Sequence, residues 1–493
     1  MEATAPLKEK RNLKPIWIAL AFTVMIVIVL LPTPADLPVM GQRALAILAF
    51  AVILWMTEAV AYPVSAAMII GITTLLLGFA PSMEDPNVML GTKDALKMAL
   101  VGFSNSAVAL VAAALFLAAA MQATNLHQRL ALFVLSKVGV KTGAIVFGAI
   151  MVSIILAFFV PSATARAGAV VPILLGMVAA FGLPHNSRLA ALLVITAVQS
   201  VSIWNVGIKT GAAQNMVALG FIEEEMGVSI AWSSWFIYAA PWSIIMSVVL
   251  YFVMMKLIKP ETQTVEGGKE LIQGKLKELG PMKPSEIRLV VISLMLLLLW
   301  STEEILHPLD TTTVTIIAIA ILLSPKIGVF EWKTVEKLIP WGTIVVFAVG
   351  IALGTILLQT NGAQWLSDKV FGAMGLDTMP LLATIAILSA FNILIHLGFA
   401  SATSLSSALI PIFIALTTTI AIDANSVGFV LIQQFVISFG FLLPVSAPQN
   451  MLAYGTGAFT VKDFLKTGII LTIVGYLLIL LFSATYWQWI GLL

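Results

Sequence analysis

The chain has 493 residues, of which 60% are hydrophobic and only 10% charged, with 26 basic against 24 acidic side chains and a net charge of +2. Soluble proteins are about one quarter charged, so this composition excludes a water-soluble or disordered chain, as does the mean hydropathy of +1.05. The small net charge gives no footprint for nucleic acid, and zero cysteine excludes disulfides, thiol catalysis and cysteine-held metal. Several apolar runs of about twenty residues predict an all-α polytopic membrane protein.

In chain order, a short polar tail precedes an apolar stretch from Pro15 to Leu31, with neither a small-residue cleavage site nor an Arg- and Ser-rich transit segment. This reads as a first transmembrane helix. Further spans are expected at about 41–56, 59–80, 103–121, 188–217 (interrupted) and 231–257. A hydrophilic stretch rich in Lys, Glu and Gly follows and reads as a solvated linker with about one amphipathic turn. Beyond it, spans are expected at 287–306, 311–323, 341–358, 427–454 (interrupted) and 464–487. Two apolar regions, 143–182 and 380–422, carry Pro and small polar residues at their middles, which favours re-entrant hairpins over straight spans. The expected division is a tail and first helix (1–40), a first repeat (41–257), a cytoplasmic linker (258–286) and a second repeat (287–493).

With the N-terminus cytoplasmic, 20 of the 26 basic residues fall on the inner side, among them Lys8, Lys10 and Arg11. Arg43, Lys93, Lys97 and Lys369 fall outside. This asymmetry follows the positive-inside rule and puts the C-terminus outside, with about eleven spans and two hairpins. Arg166 and Lys209 are left at membrane depth, and Glu58 is the one carboxylate expected near it.

The two halves repeat each other at an offset of about 236 residues. Thr124-Asn125 pairs with Thr360-Asn361, Ser162-Ala163-Thr164 with Ser401-Ala402-Thr403, and Gln214-Asn215-Met216 with Gln449-Asn450-Met451. A Pro follows ten residues after each tip serine, at Pro172 and Pro411. Each repeat holds an odd number of spans, so the second copy is inverted. Inverted repeats with broken segments at matching positions are the sequence signature of secondary transporters.

Each hairpin tip offers hydroxyls and a helix N-terminus, so two facing tips could hold two carboxylates. The plainer account is that Ser and Thr bond to their own helix or pack as small residues; two symmetric copies weigh against it. A cation at the bilayer centre costs roughly 3 kcal/mol on insertion scales and needs a partner. Arg166 and Lys209 beside a carboxylate cradle therefore point to an anionic ligand, with snorkelling to the interface as the plainer account. His396 lies five residues before Ser401 and faces the site on this reading, unless it makes only a structural hydrogen bond.

These features resemble the divalent anion:sodium symporter family, which includes the sodium–dicarboxylate and citrate carriers. The string PSATARAG (Pro161 to Gly168) and TGAAQN (Thr210 to Asn215) resemble its antiporter branch, the citrate–succinate and tartrate–succinate exchangers. The resemblance implies a homodimer with a fixed scaffold and an elevator-type transport domain that carries both hairpin tips. It implies substrate contacts at Ser162, Ala163, Thr164, Ser401, Ala402, Thr403 and Pro448. In sodium-coupled members it implies cation sites around the positions of Ser162, Gly211, Ser401 and Ser446. Here the family's middle Asn is Ala163 in one copy and Ala402 in the other, so two side-chain amides are missing.

The expected function is exchange of di- or tricarboxylates (C4-dicarboxylates, 2-oxoglutarate, citrate or tartrate) across a plasma membrane. Arg166, with Lys209 as a second cation and His396 beside the site, would stand in for bound sodium, and no cofactor or metal is expected. A charged empty carrier crosses hydrocarbon poorly and a neutralised loaded one crosses well, which makes exchange the natural mode. The alternative is a sodium-coupled dicarboxylate symporter of the same family, distinguished by the sodium dependence of uptake. An anion channel would show currents without trans-stimulation. An enzyme fits poorly, with no cysteine, paired histidines or nucleotide loop.

Overall fold

The computed structural model describes residues 13–264, 268–420 and 426–493. Lys8, Lys10 and Arg11 of the inner-side count lie outside the described residues. So do positions 265–267 of the linker and 421–422 at the end of the second hairpin region. Among the described residues the chain is helical, with three isolated bridges and no strand.

Among the described residues ten helices are long and apolar enough to cross a membrane, and five shorter apolar helices accompany them. Helix Arg188–Gly207 is buried from Leu189 to Gly207 and forms the centre of the molecule. The peripheral helices show the opposite pattern. Ile244, Val248 and Phe252 in Trp232–Leu257 form an exposed apolar stripe at i, i+4 spacing. Val291 and Met295 do so in Pro284–Ser301, and Ile473, Leu477 and Leu481 in Val461–Ala484. Apolar residues outermost and polar ones innermost is what a hydrocarbon surround selects.

The 143–182 region forms two 18-residue helices, Thr142–Phe159 and Ala163–Ala180. Both far ends return to the same place. The Thr142 N–H donates to Gln263 O at 2.9 Å and its hydroxyl to Thr262 O at 2.8 Å. Gly176, on the second helix, packs beneath the Lys275 ammonium. The 380–422 region forms Leu381–His396 and Ala402–Thr419. The Phe371 ring meets Phe391 of one helix and Phe413 of the other, and the Thr419 hydroxyl donates to Asp368 at 2.8 Å.

Four elements differ from the sequence reading. Short amphipathic helices precede each hairpin, Leu126–Lys137 and Gly362–Phe371, each entered through a left-handed Asn, Asn125 (φ 57°) and Asn361 (φ 59°). Asn tolerates that conformation because its short polar side chain can bond locally. The linker holds an 11-residue helix, Gly268–Glu278, where one turn was expected. It is tied down by Arg129, which donates to Gly280 O at 2.8 Å and Leu279 O at 3.0 Å and pairs with Glu286 at 3.1 Å. Helix Pro284–Ser301 ends before the expected 306, and Glu303 turns inward after it.

Candidate functional site

The two hairpin tips have the same backbone. Ser162 (φ −139°, ψ 111°) and Ser401 (φ −138°, ψ 116°) are extended N-caps. Each serine Oγ accepts the N–H three residues on, from Ala165 and Ser404, both at 3.3 Å. That satisfies one of the orphan donors at a helix start and leaves the N–H groups of the first two residues without a partner in their own helix. Those residues are Ala163 and Thr164 in one tip, Ala402 and Thr403 in the other. All four line a single cavity of about 1070 Å³, together with Ser162, Ser401, Pro448 and His396.

Two broken helices complete the wall. Arg188–Gly207 stops at Ile208 and restarts at Ala213, and Ser426–Ile437 is followed by a break that restarts at Pro448. The breaks match closely, with Ala212 at φ −152°, ψ 146° and Ala447 at φ −155°, ψ 142°. A break exposes carbonyls that hydrocarbon cannot satisfy, and the Gln-Asn motifs supply the missing donors. Asn215 Nδ2 donates to Asn205 O at 2.7 Å and to Ile208 O at 3.1 Å. Asn450 Nδ2 donates to Gly440 O at 2.8 Å. The glutamines cross between halves: Gln214 donates to Ser438 Oγ at 3.2 Å and Gln449 to Ser202 Oγ at 3.1 Å. Four helix N-termini, at residues 163, 213, 402 and 448, thus open on one cavity, and their dipoles make it a place for negative charge.

Arg166 is fully buried and lies one layer behind this wall. Its guanidinium donates to Asn205 Oδ1, whose residue lines the cavity, and to Gly211 O at 2.7 Å. It has no carboxylate partner among the described residues, and its Nε and Nη1 have no hydrogen-bond partner. In the second repeat the corresponding position is Leu405, also fully buried. His396 acts on that side: its Nε2 lies 3.2 Å from Ser446 O, the counterpart of Gly211 O. A carbonyl partner requires the proton on Nε2.

Lys209 points elsewhere. Its ammonium donates to Ile230 O at 2.6 Å and Thr311 Oγ1 at 3.1 Å, and lies 3.8 Å from Glu303. Glu303 is itself held by the N–H of Trp232 at 2.9 Å and by Thr311 through its N–H at 2.8 Å and hydroxyl at 2.7 Å. Two carboxylates that the sequence did not single out, Glu303 and Glu286, are buried, each beside a cation, whereas Glu58 is exposed. Sequence reasoning also missed Asn205, Tyr62 and Ser438. Asn205 stands ten residues before Asn215, as Gly440 stands before Asn450, and that spacing was the available signal. Among the described residues no group of three His, Asp or Glu is placed to hold a metal ion.

Buried helices at the centre, apolar stripes at the rim and a polar cavity bounded by broken helices define a multi-pass membrane transport protein. The chain belongs to the sodium:sulfate symporter family, whose transmembrane region matches residues 13–493; this bears out the resemblance to the divalent anion:sodium symporters. A Cupriavidus necator protein named only as a membrane protein is 52% identical over 471 residues, 96% of this chain and 92% of that one. The sodium-dependent dicarboxylate transporter SdcS of Staphylococcus saprophyticus is 26% identical, covering 92% of this chain and 87% of its own. The citrate/succinate antiporter of Escherichia coli K12 is also 26% identical, covering 94% and 96%. In fold, the chain is similar to the crystal structure of the Alcanivorax borkumensis YdaH transporter, with a TM-score of 0.57 at 14% identity over 87% of this chain and 98% of that one.

Proposed function

We propose that this protein exchanges di- or tricarboxylate anions across the plasma membrane without sodium, its positive charge supplied by its own side chains. The observation that carries the reading is Arg166: a buried guanidinium with no carboxylate partner among the described residues, donating to Gly211 O behind the cavity. The resemblance assigns the matching position in sodium-coupled relatives to a cation, and His396 takes the symmetric carbonyl in the second repeat. Lys209 contributes less, because Glu303 already balances it. Relatives of equal identity include a sodium-dependent transporter and an antiporter, so similarity alone does not choose between them, and the choice rests on Arg166.

In this mechanism a substrate's two carboxylates meet the free N–H groups and hydroxyls of the two tips, Ser162-Ala163-Thr164 and Ser401-Ala402-Thr403, with Pro448 at the side. The empty domain keeps the Arg166 charge without a counter-ion and crosses hydrocarbon poorly; a bound dianion supplies that counter-ion, and its second charge faces the positive ends of the helices that open on the cavity. Obligatory exchange follows from that difference. By family resemblance the protein works as a homodimer with an elevator-type movement and is not an enzyme; by the distribution of its basic residues its N-terminus is cytoplasmic and its C-terminus outside.

The test is counterflow in proteoliposomes. Vesicles loaded with succinate should take up labelled succinate with or without sodium, and empty vesicles should not. Sodium-gradient-driven uptake into empty vesicles would refute the exchange reading in favour of symport, and current without trans-stimulation would indicate a channel.

A further inference from the structure

Among the described residues lining the cavity there is one formally charged side chain, and it is an acid, Glu58. It follows helix Val39–Thr57 as its cap, in a left-handed conformation (φ 46°, ψ 34°) that costs a non-glycine residue energy. That backbone turns the side chain to the cavity, where it is exposed. The Tyr62 hydroxyl donates to Glu58 Oε1 at 3.0 Å and also reaches the Ser401 side chain at the second hairpin tip. Glu58 makes no ion pair among the described residues. The other titratable groups on the wall are Tyr62, His127 and His396. His127 is bonded to Met121 O and His396 to Ser446 O, so neither imidazole neutralises the carboxylate.

A fixed negative charge in the wall of an anion site weakens every anion bound there, and it weakens a more highly charged anion more. We propose that Glu58 is a charge filter: it makes the cavity hold a trianionic tricarboxylate about tenfold less tightly than the same molecule in its singly protonated, dianionic form. This rests on the carboxylate reading above and adds the selection rule. Across a cavity of this size, one extra ligand charge at an effective dielectric near 20 changes affinity by about tenfold.

The experiment is competition against labelled succinate exchange in proteoliposomes, with unlabelled succinate and unlabelled citrate as competitors at pH 6 and pH 8. In the wild type, citrate potency should fall from pH 6 to pH 8 as the dianion gives way to the trianion, by up to about tenfold. In Glu58→Gln, citrate potency at pH 8 should rise about tenfold relative to succinate. Tyr62→Phe keeps the charge and should leave the ratio near the wild-type value. An unchanged citrate-to-succinate ratio in Glu58→Gln, or wild-type citrate potency that follows the trianion, overturns the filter while leaving the carboxylate reading intact. Strong competition by aspartate that vanishes in Glu58→Gln would make Glu58 an ammonium receptor and also overturn it. Absence of any succinate exchange in the wild type would overturn both.

Discussion

Replacing Arg166 by Leu asks whether the buried guanidinium serves transport or only packing. The molecule supplies its own control, because the inverted repeat already holds a fully buried leucine at the matching position, Leu405. The substitution removes donation to Asn205 and Gly211, at about 1.5–3 kcal/mol for each charge-assisted bond. It also removes the cost of keeping a guanidinium out of water, several kcal/mol per buried ion. These oppose each other, so thermal unfolding of the variant in detergent should stay within a few degrees of the wild type. Transport should not survive. A unit charge about 10 Å from a dianion, at an effective dielectric of 20, contributes roughly 3 kcal/mol, or about two orders of magnitude in binding. Succinate counterflow in proteoliposomes should therefore fall about a hundredfold at fixed substrate. A folded Arg166→Leu protein exchanging within threefold of the wild type would refute the reasoning and return Arg166 to a structural role.

Three other expectations follow. Lys209→Met and Glu303→Gln should each cost about 3–5 kcal/mol by stranding a buried charge, and the double variant should cost less than their sum, read as a cycle by chemical unfolding. Asn215→Ala and Asn450→Ala should each destabilise by about 1–3 kcal/mol because carbonyls at the breaks lose their donor, and the Asn215 loss should be the larger, since it serves Asn205 O and Ile208 O while Asn450 serves Gly440 O. Gly468→Ala would drive a Cβ into the Phe441 carbonyl beside the second break and should sharply reduce the yield of folded protein. Gly71→Ala, with nothing within 4 Å, should be neutral by the same size-exclusion assay.

The hairpin tips were legible in the sequence because Ser-Ala-Thr occurs twice in register with a proline ten residues on, a pattern that needs no tertiary information. The broken helices were legible for the same reason, through Gln-Asn-Met and the Gly and Pro beside it. The destination of Lys209 was not. Its partner Glu303 is 94 residues away in sequence, at the end of an apolar run read as a longer span, and only the early stop at Ser301 turns that carboxylate inward. Arg166 and Lys209 look alike in sequence, two basic residues in apolar surroundings, and the fold separates them by giving one a counter-ion. The amphipathic helices at 126–137 and 362–371 escaped because each is short and polar on one side, so its apolar face acquires meaning only against its hairpin.

The glutamine crossings bear on how the chain is made. Gln214 and Ser438 are 224 residues apart, and Gln449 and Ser202 are 247 apart. During synthesis the first repeat emerges with Gln214 and Ser202 in place, while both partners are still untranslated. Neither group can find its native bond until almost the whole chain has left the ribosome. The first repeat must therefore wait in the membrane with its centre wet or loosely paired, and the final closure is a late event of very high contact order. A chain truncated before residue 438 should be recognised as unfinished and degraded. The two halves are thus one folding unit, although they share a pattern.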